Sequence, residues 1–163
     1  MSGRAFVYGD NVDTDMLAPG MFMKFAIEDL AKHCLSALDP AFVRDVRPGD
    51  VVVGGDNFGM GSSREQAVMA LRHHGVSVVV AKSFAGLFFR NAVNLGLAPL
   101  VCPDAGTIAR GDVLDADPAT GRVENRTQGR TLSCEPIPMH LMAMLRDGGL
   151  IAHLEKKLKA RAS

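Results

Sequence analysis

Three short apolar runs, Val51–Val53, Val76–Ala81 and Leu97–Val101, alternate with two helix-length segments, and this spacing constrains the fold more than any other feature. The runs are too short for helices and rich in β-branched residues, so they read as strands. The segment between the first two is helical from about Ser63 to His74 and stops at Gly75. The second puts Phe84, Leu87, Phe88, Ala92 and Leu95 on one face and stops at Gly96, with Ser83 placed to cap it. Strand–helix–strand–helix–strand over residues 51–101 implies a small parallel sheet with right-handed crossovers.

The flanks are less regular. Val7-Tyr8 leads into Gly9–Asp15, whose small polar and acidic residues argue for a loop. Residues 26–38 put Ile27, Leu30, Ala31, Cys34 and Leu38 on one helical face, ended by Asp39-Pro40. Arg47-Pro48-Gly49-Asp50 is a turn. Beyond residue 101, Asp117–Gly121 and Gln128-Gly129 are turn signals between short β pieces, with Val123 and Leu132 facing inward. Residues 137–146 are helical, Gly148-Gly149 interrupts them, and residues 150–161 form a last helix with a basic, solvated end. The expectation is an α/β fold in a single domain over residues 1–163: a small parallel sheet flanked by helices, with a short β appendage.

The chain has 163 residues, enough to bury a core. Its 18 Lys plus Arg balance 18 Asp plus Glu, which speaks against general binding of nucleic acid or anionic membranes. No apolar run approaches the roughly 20 residues of a membrane span, and the N-terminus has no signal-peptide core. A cytoplasmic protein is the resulting expectation. Cys34, Cys102 and Cys134 are far apart and no Cys-x-x-Cys occurs, so no metal or cofactor is expected on this chain.

The chemistry concentrates in Gly55-Asp-Asn-Phe-Gly-Met-Gly-Ser-Ser-Arg-Glu-Gln66. Gly54 and Gly59 have the spacing of a Walker loop, but Met60 stands where it needs Lys. Gly59 and Gly61 begin a dinucleotide fingerprint, but Arg64 replaces its third glycine and Lys82 sits near the place of its acid. What survives is anion binding at a helix N-terminus, or a hydroxyl there that loses its proton. Arg64 in a first turn opposes the helix dipole, unless it grips a carboxylate or phosphate or folds back onto an acid. Ser62-x-x-Glu65 and Ser63-x-x-Gln66 are both capping-box frames. If Ser63 caps, Ser62 is left free. His73 and His74 lie three turns along the helix, too far to serve as its base.

Residues 57–66 resemble the swivelling domain of the aconitase superfamily, nearest to the small subunits of 3-isopropylmalate dehydratases. Asp10–Asp15 with Pro19, Lys82–Asn91 with Gly96–Pro99, and Gly148–Ile151 are similar to further segments of that family, in the same order. The resemblance implies an iron–sulfur hydro-lyase of two subunits, isomerising 2-isopropylmalate and 3-isopropylmalate in leucine biosynthesis. It implies a large subunit that carries a [4Fe-4S] cluster and a small dicarboxylate substrate. It assigns Ser62 as the base, acting as alkoxide, and Asp15 as an acid that orients groups of the partner. Ser63 and Arg64 hold substrate carboxylate. The loop Pro19–Phe25 reaches the variable group, where Phe22, with Met21, Met23 and Phe25, packs an apolar branch or Lys24 reads a further carboxylate. Two positions depart from the pattern: Met60 stands where relatives often have Cys, and Gln66 where they often have His. Related hydro-lyases acting on homoaconitate or dimethylmalate, and a non-catalytic anion-binding module, are the alternatives.

Overall fold

The computed structural model describes residues 2–162. Its strands are β1 (Ser2–Val7), β2 (Val51–Val53), β3 (Val78–Ala81), β4 (Ala98–Val101), β5 (Val113–Asp117), β6 (Arg122–Asn125) and β7 (Arg130–Ser133). The helices are α1 (Thr14–Leu17), α2 (Ile27–Leu30), α3 (Phe42–Asp45), α4 (Glu65–His73), α5 (Gly86–Asn94), α6 (Met139–Arg146) and α7 (Leu150–Ala162). The sheet order is β4-β3-β2-β1-β5-β6-β7. The expected unit over residues 51–101 is present, with β2, β3 and β4 mutually parallel. Its helices stop at Gly75 and Gly96, both at positive φ.

β1 was not anticipated. It is split between two partners: Ser2, Gly3 and Arg4 pair antiparallel with β5, whereas Ala5, Phe6 and Val7 pair parallel with β2. A Cβ on Gly3 would collide with the carbonyl of Gly49, so only glycine lets the strand pass there. Pairing on both sides outweighs the weak strand propensity of Ser-Gly-Arg.

Two cores lie on the two faces of the parallel strands, as the two-residue side-chain period requires. Phe6, Val52, Val79 and Ala81 pack with Leu17, Leu30, Phe42, Leu71 and Phe88 from the helices and their connections. Ala5, Val51, Val53, Val80 and Leu100 pack with Leu114, Val123, Leu132 and Met142. The antiparallel strands therefore form a layer over the second face, giving a β/β/α stack, and Val123 and Leu132 point inward as expected.

Residues 26–38 differ from the single helix their periodicity suggests. α2 ends at Leu30, a 3-10 turn covers Ala31–His33, and Cys34 leaves the helical region at ψ 123°. Leu35 takes a positive φ of 59° and donates its N–H to the Met16 carbonyl at 2.8 Å. Leu35 is thereby buried, while Leu38 is 45% exposed. A tertiary bond to the preceding connection wins over a short helix that is marginal by itself.

Leu114 is fully buried where β5 meets the parallel layer. Leu114→Ala should lower stability by about 2–5 kcal/mol. Urea denaturation followed by two probes, one per layer, should still show one transition.

Candidate functional site

β1, β2 and β3 end at one edge of the sheet, and the loops that follow them are stitched together there. Asn11 N–H donates to Asp56 O (2.8 Å), Gly59 N–H to Val12 O (2.7 Å) and Thr14 N–H to Met60 O (2.9 Å). On the other side, Phe58 N–H donates to Ser83 O and Ala85 N–H to Phe58 O, each at 3.0 Å. The glycine turn is thus held between loops 9–14 and 82–85, outside the carboxyl ends of parallel strands, where open α/β sheets place their ligands. Gly59, at φ 82°, lies against Phe88, and a Cβ there would overlap the ring. Phe58 is buried beneath the turn between Phe84 and Phe88.

The serines do not cap the helix. α4 begins at Glu65, and its N-cap is Arg64, extended at φ −115° and ψ 111°, with no side-chain capping bond. A guanidinium has donors only, so it cannot accept from the first-turn amides. The Ser63 hydroxyl instead accepts from Asn91 Nδ2 of α5 at 3.2 Å. Asn91 ends the Lys82–Asn91 segment that resembles the family, but the sequence assigned it no role in the site. Ser62 is exposed, and its hydroxyl has no partner among the described residues. Ser83 does not cap α5, whose N-cap is Ala85. Its hydroxyl accepts from Asn57 N–H and donates to Asp56.

The backbone amides free to meet an anion are those at the end of the glycine turn. The amides of Gly59 and Met60 are spent on the carbonyls of Val12 and Asn57. The amides of Gly61, Ser62 and Ser63 have no acceptor among the described residues. They lie just before the N-terminus of α4, where the helix dipole favours negative charge.

Arg64 and Asp15, 49 residues apart, form an ion pair at 2.9 Å. Arg64 Nη1 donates to Asp15 Oδ1 and to the Ala18 carbonyl at 3.0 Å, while Gly20 N–H also donates to Asp15 Oδ1 at 2.9 Å. The Arg64 hydrogen bond, then that of Gly20, lowers the Asp15 pKa below the ordinary carboxylate value. Both bonds of Arg64 leave from Nη1, so the edge formed by Nε and Nη2 remains open as a bidentate fork.

Gly20 also connects this pair to loop 19–25, which winds into a 3-10 turn over Gly20–Phe22. Phe22 is half-buried, stacked on His33 with centroids 3.6 Å apart. Lys24 is exposed and without a partner among the described residues, and Met21 and Phe25 are exposed beside it. Ser62, Ser63, Arg64 and Asp15 thus share one end of the sheet, while Lys24 and the half-exposed Phe22 belong to the loop that Gly20 ties to Asp15. His74 lies at the far end of α4, bonded to the Ala31 carbonyl. A cavity of about 340 Å³ lined by Arg72 and Arg146 sits at the other end of the parallel strands and includes none of these residues. Among the described residues, no three His, Cys, Asp or Glu side chains gather as a metal site, and no helix is long and apolar enough to cross a membrane.

The β/β/α stack with a glycine–serine–arginine turn at its strand ends defines an aconitase-type domain, and residues 36–105 match the aconitase C-terminal domain family. A 3-isopropylmalate dehydratase small subunit from Methanosarcina mazei is 45% identical over 162 residues, covering 99% of this chain and all of the relative. A methanogen homoaconitase small subunit from Methanothermobacter thermautotrophicus is 42% identical over 158 residues, 96% of this chain and 91% of the relative. The crystal structure of 3-isopropylmalate dehydratase from Methanocaldococcus jannaschii matches with a TM-score of 0.94 at 39% identity, covering 99% of this chain and 96% of that one. The chain belongs to the family of 3-isopropylmalate dehydratase small subunits, which are hydro-lyase components.

Removing the guanidinium tests the ion pair. A carboxylate held below its usual pKa by Arg64 adds stability above the unfolded pKa, and that stability is lost as pH falls through the folded value. Arg64→Gln should raise the Asp15 pKa toward the ordinary value of about 4. A carbon-detected NMR titration of Asp15 measures this directly.

Proposed function

We propose that the chain is the small subunit of an iron–sulfur hydro-lyase that interconverts 2-isopropylmalate and 3-isopropylmalate by dehydration and rehydration. The observation that carries the reading is the Ser62 hydroxyl, exposed and without a partner among the described residues. It stands between open backbone amides and a guanidinium with a free bidentate edge. The names of the relatives at 45% identity and in the matched crystal structure support the substrate.

Ser62 Oγ, as alkoxide, takes the proton from the carbon next to a substrate carboxylate and returns it on rehydration. A serine hydroxyl is a very weak acid, so its anion needs fixed positive potential. The amides of Gly61–Ser63, the N-terminus of α4 and Arg64 supply it. The Nε–Nη2 edge of Arg64 binds the carboxylate while Asp15 and Ala18 hold Nη1. Ser63, fixed by Asn91, gives a second contact to the carboxylate. Asp15 orients the guanidinium and faces the partner. Phe22, with the neighbouring Met21 and Phe25, forms the apolar wall for the isopropyl group.

The residues of this chain do not fit an iron–sulfur cluster: its three cysteines are buried and no metal-ligating group forms among the described residues. In the proposal the [4Fe-4S] cluster belongs to a large partner subunit. Met21, Phe25, Met60 and Leu87, exposed by 39–80% around the Ser62 end, are the apolar contacts on which that subunit closes.

In the complex with a cognate large subunit, Ser62→Ala should lower turnover by about 10²–10⁴-fold without changing assembly. Turnover near wild type would reject Ser62 as the base. Arg64→Lys should raise KM about tenfold, because a point charge cannot replace the fork.

A second reading, a substrate with a further carboxylate, is favoured by the unpartnered Lys24 and by the relative named homoaconitase. Kinetics of Lys24→Leu separate the two. Isopropylmalate turnover should be unchanged, and a loss confined to a tricarboxylate substrate would establish the second reading.

A further inference from the structure

We propose that Cys102 and Cys134 form a redox-active dithiol that hydrogen peroxide converts to an intramolecular disulfide. Backbone register brings them together. Glu135 N–H donates to the Val101 carbonyl at 2.8 Å. Pro99 and Val101 line one cavity together with Glu135, Ile137 and Pro138, so the segment after β7 passes beside β4. The Glu135–Val101 bond brings Cys134, the residue before Glu135, beside Cys102, the residue after Val101. Their own amides point away from each other, Cys102 N–H to Ala81 O at 2.8 Å and Cys134 N–H to Gly121 O at 2.6 Å. Both side chains lie in the same buried core.

The thiols already interact. Cys134 and the Asp104 backbone both act on the Cys102 thiol and favour its thiolate. The Cys134 hydrogen bond is the main cause that lowers the Cys102 pKa, and the same bond is the main cause that raises that of Cys134. Cys102 is therefore the nucleophile and Cys134 the resolving thiol. Cys34 is the built-in contrast: it lies in the core on the opposite face of the parallel strands, and burial alone raises its pKa. Cys102 is fully buried and Cys134 is 7% exposed, so the oxidant must be small.

The Cys102 thiolate attacks one peroxide oxygen; the S–O bond forms, the O–O bond breaks and hydroxide leaves, taking up a proton as water. Cys134 sulfur then attacks Cys102 sulfur. The S–S bond forms, the S–O bond breaks, and the Cys134 proton leaves with the hydroxyl as a second water. Two electrons pass from the dithiol to the peroxide. The product ties the end of β4 to the end of β7, and so joins the middle layer to the outer strand layer.

The reduced full-length chain, treated with hydrogen peroxide under native conditions, alkylated and mapped by mass spectrometry, tests this. The expected result is a Cys102–Cys134 linked peptide, loss of two of the three free thiols, and alkylation confined to Cys34. Dithiothreitol should restore all three. Cys34→Ser should give the same linked peptide, and Cys134→Ser should stop at oxidised Cys102. Three thiols that stay equally alkylatable, a link that forms only in denaturant, or a link between two chains would overturn the proposal.

Discussion

The divided pairing of β1 is the constraint on which the rest of the structure depends. Its first three residues hold the antiparallel strands and its last three hold the parallel ones. In the sheet order β1 stands between the parallel strands β2–β4 and the antiparallel strands β5–β7. The same division decides where the side chains go. Ala5 enters the core shared with Leu114 and Val123, and Phe6, one residue on, enters the core shared with Phe42 and Leu71. Because β1 ends at the same edge as β2, it also delivers Asn11, Val12 and Thr14 to the side of the glycine turn, where their backbones fix it.

That delivery explains the charge arrangement at the strand ends. Asp15 follows Thr14 directly, so the bonds that fix the turn also bring its carboxylate to Arg64. The pairing holds a cation at a helix N-terminus, against the dipole. It does so through one nitrogen, with the carboxylate 66% exposed and the guanidinium 22% exposed. So exposed a carboxylate contributes little net stability, since solvent screens the attraction. The arrangement orients the guanidinium more than it stabilises the fold, which agrees with the proposed grip on a substrate carboxylate.

Features set by neighbouring residues could be read from the sequence. The valine runs, the glycine stops at Gly75 and Gly96, and the turns at residues 117–121 and 128–129 all depend on local conformation, and all are present. Features set by distant partners could not. β1 needs β2 and β5, nearly 50 and more than 100 residues away. The helical period of residues 26–38 is overridden at Leu35 by Met16. The capping frames of Ser62 and Ser63 fit the pattern, yet the chain stays extended through Arg64 and the Ser63 hydroxyl goes to Asn91. The candidate site was recognisable as a motif, because its residue types are contiguous. Its electrostatics were not, because Asp15, Ala18 and Gly20 arrive from another loop.

The exposure of Ser62 bears on how such a site works. An alkoxide on an open surface is quenched, since bulk water supplies protons and a high dielectric weakens every fixed dipole near it. The open amides of Gly61–Ser63 and the free edge of Arg64 gain their full effect only once water is excluded. Among the described residues Ser62 is left exposed, and Met21, Phe25, Met60 and Leu87 add exposed apolar surface from the turn, loop 19–25 and α5. In the proposed reading, an exposed hydroxyl with an unfinished enclosure and exposed apolar side chains nearby has the form of half a site. In the proposed complex, closure of the partner on that ring would complete the electrostatics that this chain sets out.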